Sequence, residues 1–93
     1  TEQQNRDALR EATIRDYRLA GDAAYNDYRF EQALAAYEQA IGYIDREAQP
    51  RRWAELTMDV AKAHWEIGIR TQGEAVHEHL AEAVAAYRDA LRV

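Results

Sequence analysis

The chain has 93 residues, of which nineteen are Ala, one is Pro and none is Cys or Ser, and its formal net charge is −5. A chain of this size forms one small domain, and its Ala-rich, Pro-poor composition favours long helices over a sheet. The acidic balance disfavours nucleic acid as a partner, and the lack of Cys excludes disulfides and thiolate chemistry. No apolar run approaches the roughly 20 residues of a membrane span, so we expect a cytoplasmic protein without membrane contact.

The first predicted helix starts at Thr1, which forms the pattern of a capping box with Gln4. In this box, side chains at both positions bind backbone amides that the helix leaves unsatisfied. The helix is predicted to run to about Asn26. Its expected inner stripe has spacings of three and four residues and consists of Leu9, Thr13, Tyr17, Ala20, Gly21 and Ala24.

A turn at Asn26–Tyr28 separates this helix from a second one, which is predicted to start near Tyr28. The apolar residues of the second helix again follow the helical period. They are Phe30, Ala33, Leu34, Tyr37, Ala40, Ile41 and Ile44.

The third predicted helix begins at Pro50, because Pro is well suited to the first turn of a helix. It is expected to end near Gly68, where Gly could provide a left-handed cap, and its stripe consists of Trp53, Leu56, Val60, Ala63, His64 and Ile67. Thr71 and Glu74 form a second capping-box pattern at the start of a fourth helix. The stripe of that helix consists of Leu80, Ala83, Val84, Tyr87, Ala90 and Leu91.

The second and fourth helices repeat each other at an offset of 50 residues. Residues 33–41 read ALAAYEQAI and residues 83–91 read AVAAYRDAL, with five of nine positions identical. A fixed period of this length indicates a stacked helical array. Small residues on the preceding helices, Gly21 and Ala61, are predicted to face the repeated tyrosines, Tyr37 and Tyr87, because two helices approach closely only where one lacks bulk.

Three segments of the first half, 20–25, 28–33 and 37–41, resemble one tetratricopeptide repeat: a small residue within the first helix, an aromatic residue at the turn, then Ala, an aromatic and Ala on the second helix. The second half is similar to a long variant of this repeat that is typical of large bacterial proteins. The resemblance implies an all-α fold of two antiparallel hairpins stacked as a short right-handed solenoid. Repeat one would cover about 1–47 and repeat two about 50–93, as a fragment of a longer array.

In such a solenoid the first helix of each hairpin lines the concave surface, so the resemblance implies a scaffold that binds a peptide or protein segment there. The expected partner-binding residues are Arg15, Arg18, Asp22, Tyr25, Asn26, Glu55, Met58, Lys62, Trp65 and Glu66. Met58 and Trp65 also lie off the predicted core stripe, and Trp and Arg are residue types that anchor interfaces. Packing of Trp65 against the first helix, and solvated arginines, are the competing interpretations.

No catalytic or cofactor site is expected. His77 and His79 are two residues apart and would point away from each other on a helix, so they do not predict a metal site. The chain also lacks a Ser or Cys nucleophile, a Gly-rich phosphate loop and a metalloprotease pattern.

An apolar residue, Leu91, stands near the end of the last predicted helix with no capping helix after it. Solenoid ends normally carry a polar cap. We therefore expect either a longer array or a homo-oligomer formed through this open C-terminal helix. The alternative function is a structural one, as a self-associating or spacer module in a multidomain bacterial signalling protein.

Overall fold

The computed structural model of the chain describes residues 1–71 and 74–92, with the side chains of 78 and 80–92 in the last helix. Four helices form in chain order: α1 (Glu2–Asn26), α2 (Phe30–Ile41), α3 (Pro50–Arg70) and α4 (Glu74–Leu91). The described residues contain no strand. The all-helical prediction with four helices is therefore confirmed.

Helix α1 begins with the predicted capping box. The Thr1 hydroxyl accepts the Gln4 amide hydrogen at 3.2 Å, and the Gln4 side chain accepts from the Thr1 amino group at 3.0 Å. At the other end, Tyr28 has a φ of 61°, which turns the chain between α1 and α2. The Arg29 amide then donates to the Ala24 carbonyl at 2.9 Å, so a carbonyl of the last turn of α1 is satisfied.

The helices pack in sequence order, α1 on α2, α2 on α3, and α3 on α4. The core lies along these seams. Its fully buried large side chains are Ile14 of α1 and Leu56 of α3. Tyr37 of α2 is buried in the same cluster, together with the small residues Ala33 and Ala40 of its own helix.

The predicted stripe of α1 is partly wrong. Leu9 is 68% exposed and Ala20 is exposed, whereas Ile14, which was not in the stripe, is 2% exposed. For Leu9, the reason is the length of α2. With 12 residues it can cover only about half of the 25-residue α1, and residues 1–11 of α1 are all exposed.

Two other sequence predictions need correction. Helix α3 continues through the buried Gly68 to Arg70, and the residue that ends it is Thr71, whose hydroxyl donates to the Ile67 carbonyl at 2.7 Å. In α4, Leu91 is exposed and Val84 is about half-exposed, because no further helix covers that side in the described structure.

Some predictions fall outside the described residues. These include the Glu74 side chain of the second capping box, the turn residues 72 and 73, and the side chains of His77 and His79. In the part of the chain that the structure describes, no helix is both long and apolar enough to cross a membrane.

Candidate functional site

The residues predicted to bind a partner all lie on α1 and α3, and the structure joins some of them directly. We call the side chains that these two helices present together the α1–α3 surface. Arg18 meets Glu55, and Tyr25 meets Glu66, in each case across from one helix to the other. The α1–α2 pair packs on the α3–α4 pair mainly through α2 and α3. Polar side chains of α1 and α3 form an additional link between the two pairs.

Arg18 lies at the centre of the first group. Its Nε is 3.2 Å from Oδ2 of Asp59, and its Nη1 is 3.8 Å from Oε2 of Glu55. Burial raises the pKa of the Asp59 carboxyl, and the Arg18 guanidinium opposes that shift without cancelling it. Asp59 was not among the predicted site residues, although its four-residue spacing from Glu55 places both carboxylates on one side of α3.

A residue of α2 binds the Asp22 side chain of α1. The Tyr37 hydroxyl donates to Oδ1 of Asp22 at 2.5 Å, although the Tyr37 ring belongs to the core. Burial is the largest cause of the raised pKa of Tyr37, followed by the hydrogen bond to Asp22. An exposed carboxylate of the surface is therefore fixed in place by a buried aromatic residue.

The second group lies towards the other end of α1. The Tyr25 hydroxyl donates to Oε1 of Glu66 at 3.4 Å, and Arg70 pairs with the same carboxylate. Burial and then the Glu66 charge raise the pKa of Tyr25. The Arg70 guanidinium lies 4.5 Å from the centre of the Phe30 ring, which meets the Tyr25 ring edge-on at 5.1 Å. Sequence analysis did not place Arg70 in the site because it ended the third helix near Gly68, and it assigned Phe30 to the apolar stripe of the second helix.

A pocket of about 160 Å³ opens between α1 and α3. Its apolar part is formed by Ile14, Leu19 and Leu56, and its charged part by Arg15, Arg18, Asp22 and Arg52. Leu19 is 58% exposed, so part of its side chain is available to a partner. Leu19 and Arg52 were missed by sequence analysis, since Leu19 lies off the predicted stripe.

Each arginine of this pocket lies near a carboxylate. Arg52 donates to Oε2 of Glu11 at 2.6 Å, in a further link between α1 and α3. Arg15 lies 3.6 Å from Asp16, and both are largely exposed. Because a guanidinium carries five N–H donors, these contacts leave donors that can face a ligand.

The other predicted residues do not join the pocket. Trp65 is 48% exposed and lies nine residues after Leu56, which by the helical period places it about half a turn away. Asn26 and Lys62 are exposed and Met58 is half-buried, and none of the three lines the pocket. The predicted surface therefore divides into a pocket near Arg18 and a separate outer side of α3.

Among the described side chains, no group of three or more His, Asp or Glu residues is placed to hold a metal ion. The chemistry that the pocket does offer is recognition, through an apolar wall and guanidinium donors.

Comparison with known proteins adds no relative to this description. No family model, no curated protein and no solved structure matches the chain.

Proposed function

We propose that the chain is a protein-interaction module built from two tetratricopeptide-like hairpins, and that it binds a peptide or protein segment on the α1–α3 surface. Packing in strict sequence order, with each helix against the next, supports the solenoid arrangement. The close approach of Gly21 to Tyr37 supports the small-residue seam on which the resemblance depends.

The observation that carries this proposal is the pocket beside Leu19. An exposed leucine next to a concave apolar wall gives an apolar side chain of the partner a place to be buried, which is the main source of affinity in peptide recognition. The surrounding guanidinium groups of Arg15, Arg18 and Arg52 then provide directional donors for polar atoms of the same segment.

Preorganisation is the reason that such a small pocket can be useful. Arg18 is held by Asp59 and Glu55, and Arg52 by Glu11. A partner therefore meets side chains whose conformational freedom is already reduced, and the entropic cost of ordering them on binding is smaller. No catalytic step forms part of the proposal.

The test is to select peptides from a random displayed library on the wild-type protein and to measure their affinity by calorimetry. We expect single-site binders with dissociation constants below roughly 100 µM, equivalent to about −5.5 kcal/mol. Leu19→Arg should abolish their binding, because it fills the pocket with a charged side chain.

The matched control is Leu9→Arg, which introduces the same change at another exposed leucine of α1, outside the pocket. Peptides that bind both variants equally well, or a library that yields no saturable binder, would contradict the proposal.

A structural role is the second candidate, and the exposure of α4 favours it. Val84 and Leu91, 49% and 83% exposed, are seven residues apart and so lie on the same side of the helix. A second copy that covered this apolar side would make the chain a self-associating module. Sedimentation over a range of concentrations tests this, with Leu91→Lys expected to shift an oligomer towards the monomer while Leu9→Lys does not.

A further inference from the structure

A second groove lies on a different side of α3 from the pocket of the proposed function. Its walls come from α2 and α4, its floor comes from α3, and its volume is about 340 Å³. The two cavities have no lining residue in common. A ligand of this groove would therefore be independent of a ligand on the α1–α3 surface.

The inner surface of the groove is mainly apolar, and its polar members are Thr57 and His64 of α3. It is formed mainly by Ile41 of α2, by Trp53 and Val60 of α3, and by Ala86 of α4, and all four are partly buried. On the α4 side, the small residues Ala85 and Ala86 line the groove between Glu82 and Asp89. This arrangement suits an apolar side chain that enters between two helices.

The rim of the groove is acidic on both sides. Glu38 stands on α2, and Glu82 and Asp89 stand on α4, while no lining residue is Lys or Arg. Two of these carboxylates have neighbours of their own: Glu82 lies 3.1 Å from Nδ1 of His64, and Asp89 lies 3.6 Å from Arg92. Glu82 and Asp89 are seven residues apart, so both charges lie along one edge of α4.

A cation of the chain already contacts one of the lining residues. The guanidinium of Arg46, which does not itself line the groove, lies 4.3 Å from the centre of the Trp53 ring. A cation over the face of Trp is attracted by the ring quadrupole, and the neighbouring carboxylates add to that attraction. A cationic side chain of a partner would meet the same two kinds of contact.

We propose that this groove docks an amphipathic helix of a partner protein whose apolar stripe is flanked by Lys or Arg. The apolar stripe contacts Ile41, Trp53 and Val60, and the flanking cations face Glu38 on one side and Asp89 with Glu82 on the other. The occupant is a helix because apolar side chains between two helices, with charged residues on both sides, match the helix-in-groove mode of recognition. The charge of the rim excludes an acidic segment.

The experiment uses a synthetic helical peptide of about four turns, roughly 14 residues, with Leu at helical spacing and Lys on both flanks. A second peptide has Glu in place of every Lys. Binding is followed by tryptophan fluorescence in a Trp65→Phe background, in which Trp53 is the one remaining tryptophan of the two in the chain. We expect the Lys peptide to change the Trp53 emission saturably and the Glu peptide to have no effect.

Variants separate a built groove from general attraction to an acidic protein. Glu38→Gln with Asp89→Asn should weaken the Lys peptide about tenfold. Glu2→Gln with Asp16→Asn removes the same two charges at exposed positions of α1 that do not line the groove, and it should change the affinity less than twofold. Ala85→Arg, at an exposed position of the α4 wall, should block binding while the circular-dichroism melting curve stays that of the parent.

Three results would overturn the proposal: an equal loss in both charge variants, equal binding of the Glu peptide, or no saturable change in Trp53 emission. A fourth such result could come from sedimentation of the protein without peptide. If the protein self-associates and Ala85→Arg abolishes the association, the occupant of the groove is a second copy of the chain, not a partner's cationic helix.

Discussion

A β-carbon built on Gly21 would lie 2.6 Å from Cε1 of Tyr37 and 2.7 Å from its Cδ1. The ring has little room to withdraw, since it is buried and its hydroxyl is bound to Asp22. Gly21→Ala should therefore destabilise the protein by about 1–2 kcal/mol, as an overpacking cost of roughly 1–3 kcal/mol is partly offset by the better helix propensity of Ala. Urea denaturation monitored by circular dichroism measures the change.

Gly42→Ala is the matched control. A β-carbon there meets only carbonyl oxygens at 3.4 and 3.6 Å, and the backbone φ of −63° suits any residue. We expect a change within about 0.5 kcal/mol or a slight gain. Equal effects of the two substitutions would mean that Gly21 is not needed for the approach of α1 to α2.

The core of α1 depends on Ile14. Ile14→Ala should cost about 2–5 kcal/mol of unfolding free energy, whereas Leu9→Ala should cost less than about 0.5 kcal/mol, because Leu9 is largely exposed. If Ile14→Ala fails to fold, Ile14→Val, with an expected loss of about 0.5–1.5 kcal/mol, keeps the comparison measurable. A larger loss at Leu9 than at Ile14 would restore the sequence-predicted stripe.

Tyr37 links stability to alkaline pH. Burial and the bond to Asp22 raise its pKa in the folded state above the ordinary value of 10.0. Below that value the hydroxyl is protonated in both states, and its contribution to stability is complete. As the pH rises further, the unfolded chain loses this proton first, so the contribution is lost and stability falls.

Tyr37→Phe should therefore flatten the decline of the unfolding free energy above pH 10, measured by denaturant titrations at several pH values. The raised pKa of Tyr25 acts in the same direction, so Tyr25→Phe with Tyr37→Phe should flatten it further. An unchanged slope in Tyr37→Phe would argue against a buried, neutral hydroxyl at this position.

Asp59 has a pKa shift of the same direction, but its effect on stability falls in the acidic range. Burial raises the pKa of its carboxyl above the ordinary 3.8, so the folded state binds this proton more tightly than the unfolded chain does. The Asp59 contribution therefore favours folding as the pH falls through the folded-state pKa, and the ionised carboxylate is a net cost at pH 7. We expect Asp59→Asn to maintain or raise the unfolding free energy at pH 7 and to reduce its dependence on pH in the acidic range.

Because Asp59 forms an ion pair with Arg18, this prediction distinguishes two opposing effects on the Asp59 carboxylate, its attraction to Arg18 and its desolvation. If Asp59→Asn lowered the unfolding free energy at pH 7 by more than about 1 kcal/mol, attraction to Arg18 would outweigh the desolvation of Asp59. Arg18→Gln in the same background then shows whether the two effects are coupled, through a double-mutant cycle.

Local signals in the sequence were sufficient to predict the helices, but not to predict which side of each helix is buried. Start signals such as Thr1 and Pro50 act within one turn, so they predict where helices begin. The choice between Leu9 and Ile14 as core residues depended on how far α2 reaches along α1, and no single-helix pattern contains that length. Both residues belong to acceptable stripes with spacings of three and four.

The contacts within the candidate site could not be predicted from the sequence, although the two helices that carry them could be. Family geometry selected α1 and α3, but the contact of Tyr25 with Glu66 joins residues 41 positions apart, and it depends on how two hairpins are rotated against each other. Trp65 was assigned to the same surface as Arg18, yet a rotation of about half a turn along α3 separates Trp65 from the pocket.

The first turns of α1, which pack against no other helix, determine where local unfolding of the protein begins. Residues 1–11 contribute no buried side chain, and an isolated helix of that length is marginal in water. Their amide hydrogens should exchange with deuterium through local fraying, well before those of Ala33 and Tyr37, which require the seam itself to separate. Trypsin should likewise cut after Arg6 or Arg10 first, and leave a shortened chain that still holds the Ile14 core intact.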